Sequence, residues 1–175
     1  GVLSGVSLSG DKFFYDNPLE SMGQHERQKW FGCACCPGNV TRFMASVPQY
    51  QYALQGSDIF VNLYIQGKGN VNGTELLQHT DYPWNGNVKI TVNPKKNTKF
   101  NIRLRIPSWA KSRPVATNLY NFADSAKQYV VKVNGTKIQA YTVDGYAVVN
   151  RKWKKGDVIE LSFPMDVRRI SANDN

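Results

Sequence analysis

Cysteine is scarce in this sequence, and all three cysteines of its 175 residues lie between positions 33 and 36. Adjacent cysteines rarely bridge each other, because a disulfide needs Cβ vectors that converge. Two neighbouring thiolates can instead hold one soft metal ion, and a metal-bound or low-pKa thiolate is a nucleophile. The alternative interpretation is that these residues are small buried hydrophobic side chains, as free cysteines often are.

Long apolar runs are also lacking. No stretch of about 18 consecutive apolar residues occurs, so we expect no membrane-spanning helix and no membrane partner. The first residues, Gly1-Val-Leu-Ser-Gly-Val, have neither the basic start nor the long apolar run of a signal peptide. Because the chain begins with Gly1 rather than Met, we interpret it as a mature form or a piece of a longer protein.

A concentrated basic patch is lacking as well, although the net charge is +9, from 22 Lys and Arg against 13 Asp and Glu. The cations are scattered through strand-like segments and turns, and no compact block of them is interleaved with aromatic residues. This distribution argues against a nucleic-acid partner. We interpret the charge as a solvated basic surface, with attraction to an anionic polysaccharide as the weaker option.

The pattern of apolar and polar residues changes along the chain and divides it into three parts. Residues 1–55 form a short lead of loops and one helix, residues 56–170 have the pattern of a β-sandwich, and residues 171–175 are a tail. With 41% apolar residues, the chain has enough material for a core. The lead is too small to bury its own apolar face, so it should pack on the sandwich or on a larger helical domain outside this chain.

One helix is predicted in the lead, over residues 40–47. Asn39 is a suitable N-cap, and Val40, Phe43 and Met44 recur at helical spacing. Pro48 should end or bend the helix, with positions 50–54 as a short continuation.

Alternation of apolar and polar residues predicts an antiparallel β-sandwich after position 58. In the segment 100–106, Phe100 and Ile102 face one way while Asn101 and Arg103 face the other, as in a sheet with one solvent-exposed face. Asn134-Gly135 is a strong two-residue hairpin signal. Strands are predicted at 59–65, 88–92, 100–106, 129–133, 137–140, 146–149 and 158–163. The segment 110–128 is a poorly patterned insertion with a short helix predicted at 123–127.

The cysteine cluster offers only part of a zinc site, which usually has four ligands from Cys, His, Asp or Glu. Cys35 and Cys36 can supply two ligands, and Cys33, His25 and Glu26 are local candidates for the others. The Cys-x2-Cys spacing occurs once and no second pair follows. A half-site completed by residues elsewhere is therefore a better interpretation than a whole site in this chain.

Several segments carry a family resemblance. In the lead they are Tyr15-Asp-Asn-Pro-Leu-Glu-Ser21, Arg27, Trp30-Phe31 and Cys33-Ala-Cys-Cys-Pro-Gly-Asn39. In the sandwich they are Asp81-Tyr-Pro-Trp84, Arg103-Leu-Arg-Ile-Pro-Ser-Trp109, Trp153-Lys-Lys-Gly-Asp157 and Pro164-Met-Asp-Val-Arg168. Together they resemble the C-terminal portion of glycoside hydrolase family 127, the β-L-arabinofuranosidase group, from about residue 13 to residue 170. The double cysteine followed by proline is the most specific part.

The resemblance implies an (α/α)6 barrel that carries the active site, with β-sandwich domains after it. Residues 1–55 would be the end of that barrel, and the missing N-terminal part of the barrel would be a partner of this chain. Cys35 would be the nucleophile and a zinc ligand, and Cys36 a second zinc ligand. The other ligands, a glutamate and a cysteine, and the glutamate acid/base would lie upstream. Cys33 would line the site or be structural.

The implied activity is retaining hydrolysis of β-L-arabinofuranosides or related plant-type glycans, so the expected substrate is an oligosaccharide or glycan. Because the acid/base and half of the zinc ligands are missing, we expect this chain alone to be inactive. The compartment stays open, with a bacterial periplasmic or secreted location preferred to a cytoplasmic one.

Two other classes of protein stay open. A non-catalytic carbohydrate-binding or structural β-sandwich would be favoured if Trp84, Trp109 or Trp153 were exposed on one face, because sugars stack on aromatic rings. A thiol-redox or metal-storage protein would use the cluster from Cys33 to Cys36. His79 lies far from the cysteine cluster in the sequence, in a strand-to-loop region, and we interpret it as a surface side chain.

Overall fold

The computed structural model describes residues 5–33, 35–111, 113–115, 117–124 and 127–173. The chain forms two compact units, Gly1–Gln49 and Tyr50–Asn175. Within the described ranges, no helix has the length and apolar character needed to cross a membrane.

The first unit consists of loops followed by the helix α1, Cys35–Ser46, after which a 3₁₀ helix spans Val47–Tyr50. The predicted start of this helix was wrong, because α1 begins at Cys35 and Asn39 lies inside it, where its amide oxygen accepts a hydrogen bond from Arg42. Pro37 makes the earlier start possible. Proline fits the first turn of a helix, where a backbone N–H has no intrahelical partner and the fixed φ is already helical.

The second unit is a β-sandwich. Its strands in the described part of the chain are β1 Tyr52–Gln55, β2 Asp58–Val61, β3 Gly67–Val71, β4 Thr74–Thr80, β5 Asn87–Pro94, β6 Thr98–Arg105, β7 Tyr120–Phe122, β8 Val130–Val133, β9 Thr136–Ile138, β10 Tyr141–Val143, β11 Tyr146–Trp153, β12 Asp157–Ser162 and β13 Ile170–Ala172. A second 3₁₀ helix spans Ser108–Lys111.

Two sheets form the layers of the sandwich. One has the strand order β1-β2-β6-β11-β10 and the other the order β3-β4-β5-β12-β8-β9, while β7 and β13 make a separate two-stranded sheet. The strand pairs are antiparallel except β2 and β6, which run parallel with Ile59 opposite Ile102. The prediction of a mainly β chain with an antiparallel sandwich after a short helical lead is confirmed, with this one parallel pair added.

The core lies between the two large sheets and takes alternate residues from each. In β6, Phe100, Ile102 and Leu104 are buried while their neighbours are not. In β5 and β12 the same alternation buries residues such as Ile90 and Ile159 on the facing sheet. Burial of aliphatic side chains on both inner faces supplies most of the driving force for this fold.

Trp153 is the largest fully buried side chain in the sandwich, with 0% of its surface exposed. Its indole N–H donates a hydrogen bond of 3.1 Å to the carbonyl oxygen of Phe100 on the paired strand β6. The polar atom of this large apolar group is therefore satisfied inside the core, as a buried tryptophan requires.

The predicted strands are present with altered ends, and others were missed. The first predicted strand, 59–65, is shorter, since β2 ends at Val61, and the segment 146–149 extends to Trp153. Residues 50–54 do not continue the helix as predicted, because β1 occupies Tyr52–Gln55. The helix predicted at 123–127 lies partly outside the described residues, and its positions 123, 124 and 127 are not helical.

The hairpin prediction at Asn134-Gly135 is confirmed. This pair joins β8 to β9 with φ values of 50° and 78°, the left-handed conformation at both positions that a type I′ turn needs. Asn72-Gly73 joins β3 to β4 in the same way, with φ values of 49° and 72°.

Replacing Trp153 with alanine should lower the free energy of unfolding by about 3–5 kcal/mol, because it opens a cavity in the core. Trp84→Ala is the matched control, since Trp84 is 88% exposed, and it should change stability by no more than about 0.5 kcal/mol. Urea denaturation followed by circular dichroism measures both. Similar losses in the two variants would contradict the placement of Trp153 in the core.

Candidate active site

The two adjacent cysteines occupy the first turn of α1. Cys35 and Cys36 are both exposed, and their Sγ atoms are 3.7 Å apart. The first backbone N–H groups of a helix have no intrahelical partner, and the helix dipole is positive at this end. Both effects favour a negatively charged sulfur at this position.

The separation of the two sulfur atoms fits a shared zinc ion. Two Zn–S bonds of about 2.3 Å at the tetrahedral angle hold their sulfur atoms about 3.8 Å apart. The distance of 3.7 Å between Cys35 Sγ and Cys36 Sγ agrees with this value. Because both side chains are exposed, further ligands can reach the same point from outside the first unit.

The other local candidates do not complete the site. Of the residues that the structure describes, no three His, Cys, Asp or Glu side chains are grouped closely enough to hold a metal ion. A hydrogen bond with Cys33 nevertheless contributes to lowering the pKa of the Cys35 thiol. Cys33 is an exposed free thiol.

Tyr15 contacts the cysteine pair and was missed as a site residue in the sequence. Its hydroxyl lies 2.7 Å from Cys35 Sγ, at hydrogen-bond distance. The Tyr15 ring packs edge-on against Phe31 at 5.4 Å between centroids, and Phe31 packs against Phe13 at the same distance. The one signal in the sequence that could have identified Tyr15 was its place in the segment Tyr15-Asp-Asn-Pro, which carries part of the family resemblance.

Backbone pairing holds this aromatic cluster in place. Phe13 exchanges two hydrogen bonds of 3.0 Å with Gln28, and Phe14 N donates one of 3.0 Å to Gly5 O. The Arg27 guanidinium lies over the Phe14 ring, 4.4 Å from its centroid. These contacts connect the loop that carries Tyr15 to the loop that leads into the cysteines.

The hydrogen bond between Tyr15 and Cys35 changes the pKa of both groups. The hydrogen bond from the Tyr15 hydroxyl, and after it the contact with the Cys36 thiol, lower the pKa of the Cys35 thiol. The hydrogen bond with Cys35 raises the pKa of the Tyr15 phenol. The phenol therefore keeps its proton and can donate it in a hydrogen bond to a Cys35 thiolate.

The first unit exposes apolar surface around these residues. No residue of α1 is buried, and Phe43 and Met44 are among its exposed apolar side chains. Trp30, which is 67% exposed, lines a groove of about 540 Å³ together with Phe14, Pro37 and other residues of this unit. Apolar surface of this extent marks a site of contact with another part of a protein.

The tryptophans of the sandwich do not form a common exposed face. Trp153 is buried, Trp109 is half-buried against the Phe163 ring at 5.6 Å, and Trp84 is exposed. Of these three tryptophans, only Trp84 offers an exposed ring on which a sugar could stack. His79 is exposed in β4, so its interpretation as a surface residue is confirmed.

Family comparisons assign both units. Residues 58–165 match the model described as β-L-arabinofuranosidase, GH127 middle domain, and residues 1–49 match the GH127 catalytic domain. The chain belongs to glycoside hydrolase family 127. The resemblance predicted from the cysteine motif and the Arg-Ile-Pro-Ser-Trp segment is therefore confirmed.

Individual members of family 127 are similar over nearly all of this chain. A non-reducing end β-L-arabinofuranosidase of Bifidobacterium longum subsp. longum is 31% identical, in an alignment that covers 99% of this chain and 27% of the relative. A solved GH127 β-arabinofuranosidase is 44% identical with a TM-score of 0.86 over 98% of this chain and 28% of its own. A GH127 β-L-arabinofuranosidase from Geobacillus stearothermophilus T6 is 36% identical with a TM-score of 0.78, over 98% and 27%. This chain thus spans about a quarter of the length of these relatives.

Tyr15→Phe should raise the pKa of the Cys35 thiol, because it removes the hydroxyl that donates to the thiolate. The measurement is the pH dependence of iodoacetamide alkylation in metal-free protein with Cys33 and Cys36 replaced by serine, so that Cys35 alone reacts. At pH values below the thiol pKa, the phenylalanine variant should react more slowly. Tyr141→Phe, in β10, is the control and should leave the profile unchanged. Identical profiles for the Tyr15→Phe variant and its parent would contradict the contact.

Proposed function

We propose that this chain supplies the nucleophile and two zinc ligands of a retaining glycosidase that hydrolyses β-L-arabinofuranosides or related plant-type glycans. The observation that carries the proposal is the position of Cys35 Sγ, exposed at the start of α1, 2.7 Å from the Tyr15 hydroxyl and 3.7 Å from Cys36 Sγ. The names of the similar proteins, which are β-L-arabinofuranosidases, support the substrate class.

Cys35 and Cys36 are the residues of this chain that would hold zinc. When bound, zinc would keep both thiols deprotonated near neutral pH, where a free thiol with a pKa of about 8.5 is mostly protonated. Tyr15 Oη lies 2.7 Å from Cys35 Sγ, and its O–H would donate to the sulfur once Cys35 is a thiolate. Cys35 is the proposed nucleophile because its Sγ lies 2.7 Å from the Tyr15 hydroxyl and the hydrogen bond with Tyr15 is the largest cause that lowers the pKa of its thiol.

In the first step, Cys35 Sγ attacks the anomeric carbon of the arabinofuranosyl group. A C–S bond forms as the glycosidic C–O bond breaks, and the leaving oxygen takes a proton from a carboxylic acid in the upstream barrel. The product is a thioglycosyl intermediate on Cys35, with inversion at the anomeric carbon.

In the second step, the same upstream carboxylate removes a proton from water, and the water oxygen attacks the anomeric carbon. The C–S bond breaks and its electron pair returns to Cys35 Sγ as a thiolate. The Tyr15 hydroxyl donates a hydrogen bond to the departing sulfur. Two inversions at one carbon give net retention of configuration.

The partner proposed for the first unit is the upstream part of the helical barrel. This unit exposes Phe43 and Met44 on α1 and the groove that contains Trp30. Residues 1–49 match the catalytic-domain model, and the whole chain covers 28% of a solved relative. Helices of the barrel would cover the apolar surface and bring the other zinc ligands and the acid/base to the cysteines.

The 175-residue chain alone should release no L-arabinose from a β-L-arabinofuranoside. A chimera in which it replaces the corresponding segment of the 44% identical relative should be active. In that chimera Cys35→Ser should lower kcat by roughly 10⁴-fold or more, as removal of a nucleophile does in other enzymes. Hydrolytic activity is measured by the release of reducing sugar, and zinc binding is measured by metal analysis.

Neighbouring thiols provide the controls for this experiment. Cys36→Ser should lower the zinc content of the chimera together with its activity, because it removes a ligand. Cys33→Ser should leave the zinc content nearly unchanged, because Cys33 is not a proposed ligand. A Cys35→Ser chimera with activity close to its parent, or activity of the isolated chain, would contradict the proposal.

A further inference from the structure

The outer face of the six-stranded sheet contains a polar groove of about 320 Å³. Its floor includes a row of side chains that crosses four strands, with His79 opposite Lys89, Lys89 opposite Glu160, and Glu160 opposite Lys132. Neighbouring strands are about 4.8 Å apart, so these polar groups lie side by side across the sheet. This volume lies at the lower end of the range of about 300–1,000 Å³ for small-molecule sites.

The charges of the groove balance each other. Lys89 and Lys132 are opposed by Glu160 on the floor and by Asp81 in the wall. In the part of the chain that the structure describes, neither lysine forms an ion pair with Glu160 or with any other residue. The groove therefore offers hydrogen-bond donors and acceptors without a net charge that would attract a polyanion.

The loop that carries Trp84 forms one wall of this groove, through Asp81 and Asn85 on either side of it. Trp84 N donates to Asp81 O at 2.8 Å, and the Asn85 side-chain amide donates to the Asp81 carboxylate at 3.3 Å. Asn87 N in turn donates to Asn85 Oδ1 at 3.0 Å. The backbone of the loop is thus fixed by hydrogen bonds while the indole is 88% exposed.

Two further contacts fasten this loop to the core. The Tyr82 ring packs against Tyr64 and Phe163, with centroids 5.8 Å and 5.9 Å away. Gly86 lies so close to the backbone of Phe163 that a Cβ there would be 2.2 Å from the Phe163 carbonyl oxygen. An exposed aromatic ring on a fixed backbone loses little conformational entropy when it binds a ligand.

We propose that this groove and Trp84 bind a neutral oligosaccharide. The indole provides a flat apolar face for stacking on a sugar ring, and the carboxylate, ammonium and amide groups provide partners for its hydroxyls. The site uses residues of the sandwich alone and no thiol. It therefore goes beyond the proposed catalytic function and can fail or hold independently of it.

The test is a titration of the ¹⁵N-labelled 175-residue chain with soluble neutral arabinan, observed through the indole N–H signals of its four tryptophans. Trp84→Phe assigns the Trp84 signal by its disappearance. The Trp84 signal should move on addition of arabinan while the signal of buried Trp153 stays in place. Polygalacturonate, an anionic polymer, should not move it. Absence of movement with arabinan, or equal movement with polygalacturonate, would overturn the proposal.

Single substitutions distinguish binding at this groove from binding elsewhere on the chain. Trp84→Ala should weaken arabinan binding at least about tenfold, the effect of truncating a central aromatic contact, with an unchanged Trp153 signal as proof of folding. Trp30→Ala removes another exposed tryptophan and should leave the affinity unchanged. Cys35→Ser, which removes the proposed nucleophile, should also bind normally. Equal binding by the Trp84→Ala and Trp30→Ala variants would overturn the proposal, whatever the outcome for catalysis.

Discussion

Two sulfur atoms 3.7 Å apart at the start of one helix impose the constraint on which the proposed chemistry depends. The spacing suits two ligands of one zinc ion, and the start of a helix favours the thiolate form. The Tyr15 hydroxyl lies 2.7 Å from Cys35 Sγ, and its hydrogen bond lowers the pKa of the Cys35 thiol. The two sulfur atoms and the Tyr15 hydroxyl all belong to the first unit. The acid/base and the remaining zinc ligands would have to come from the rest of the barrel.

Much of the sandwich could be predicted because its residue alternation and turn residues favour the same local structures that the tertiary packing requires. In β6, apolar and polar residues alternate, and this period of two predicts a strand with one buried face. At Asn134-Gly135, both residues readily adopt the positive φ that a two-residue hairpin turn needs. Strand β4 was missed because three of its four inward positions, Thr74, Gln78 and Thr80, are polar. Gln78 is fully buried there, where its amide donates to Tyr52 Oη at 3.0 Å and to Leu63 O at 3.2 Å. Partners distant in sequence make that burial possible, and no local pattern reveals them.

The candidate site was predicted less completely than the fold. The cysteine pair is conspicuous in the sequence, but Asn39 gave the stronger signal for a helix start than the proline in the true first turn. Tyr15 is 20 residues from Cys35 in sequence and reaches it through the packing of Phe13 and Phe31. Contacts of this kind depend on how two loops pair, which side-chain periodicity does not encode.

The central claim is that Cys35 Sγ forms a bond to the sugar. Its most direct test is rapid acid quenching of the active chimera during turnover of a β-L-arabinofuranoside, followed by proteolysis and tandem mass spectrometry. The account predicts an arabinosyl group on the peptide that contains the cysteine pair, localised by fragmentation to Cys35. Localisation of that group to Cys36 or to a carboxylate would contradict it.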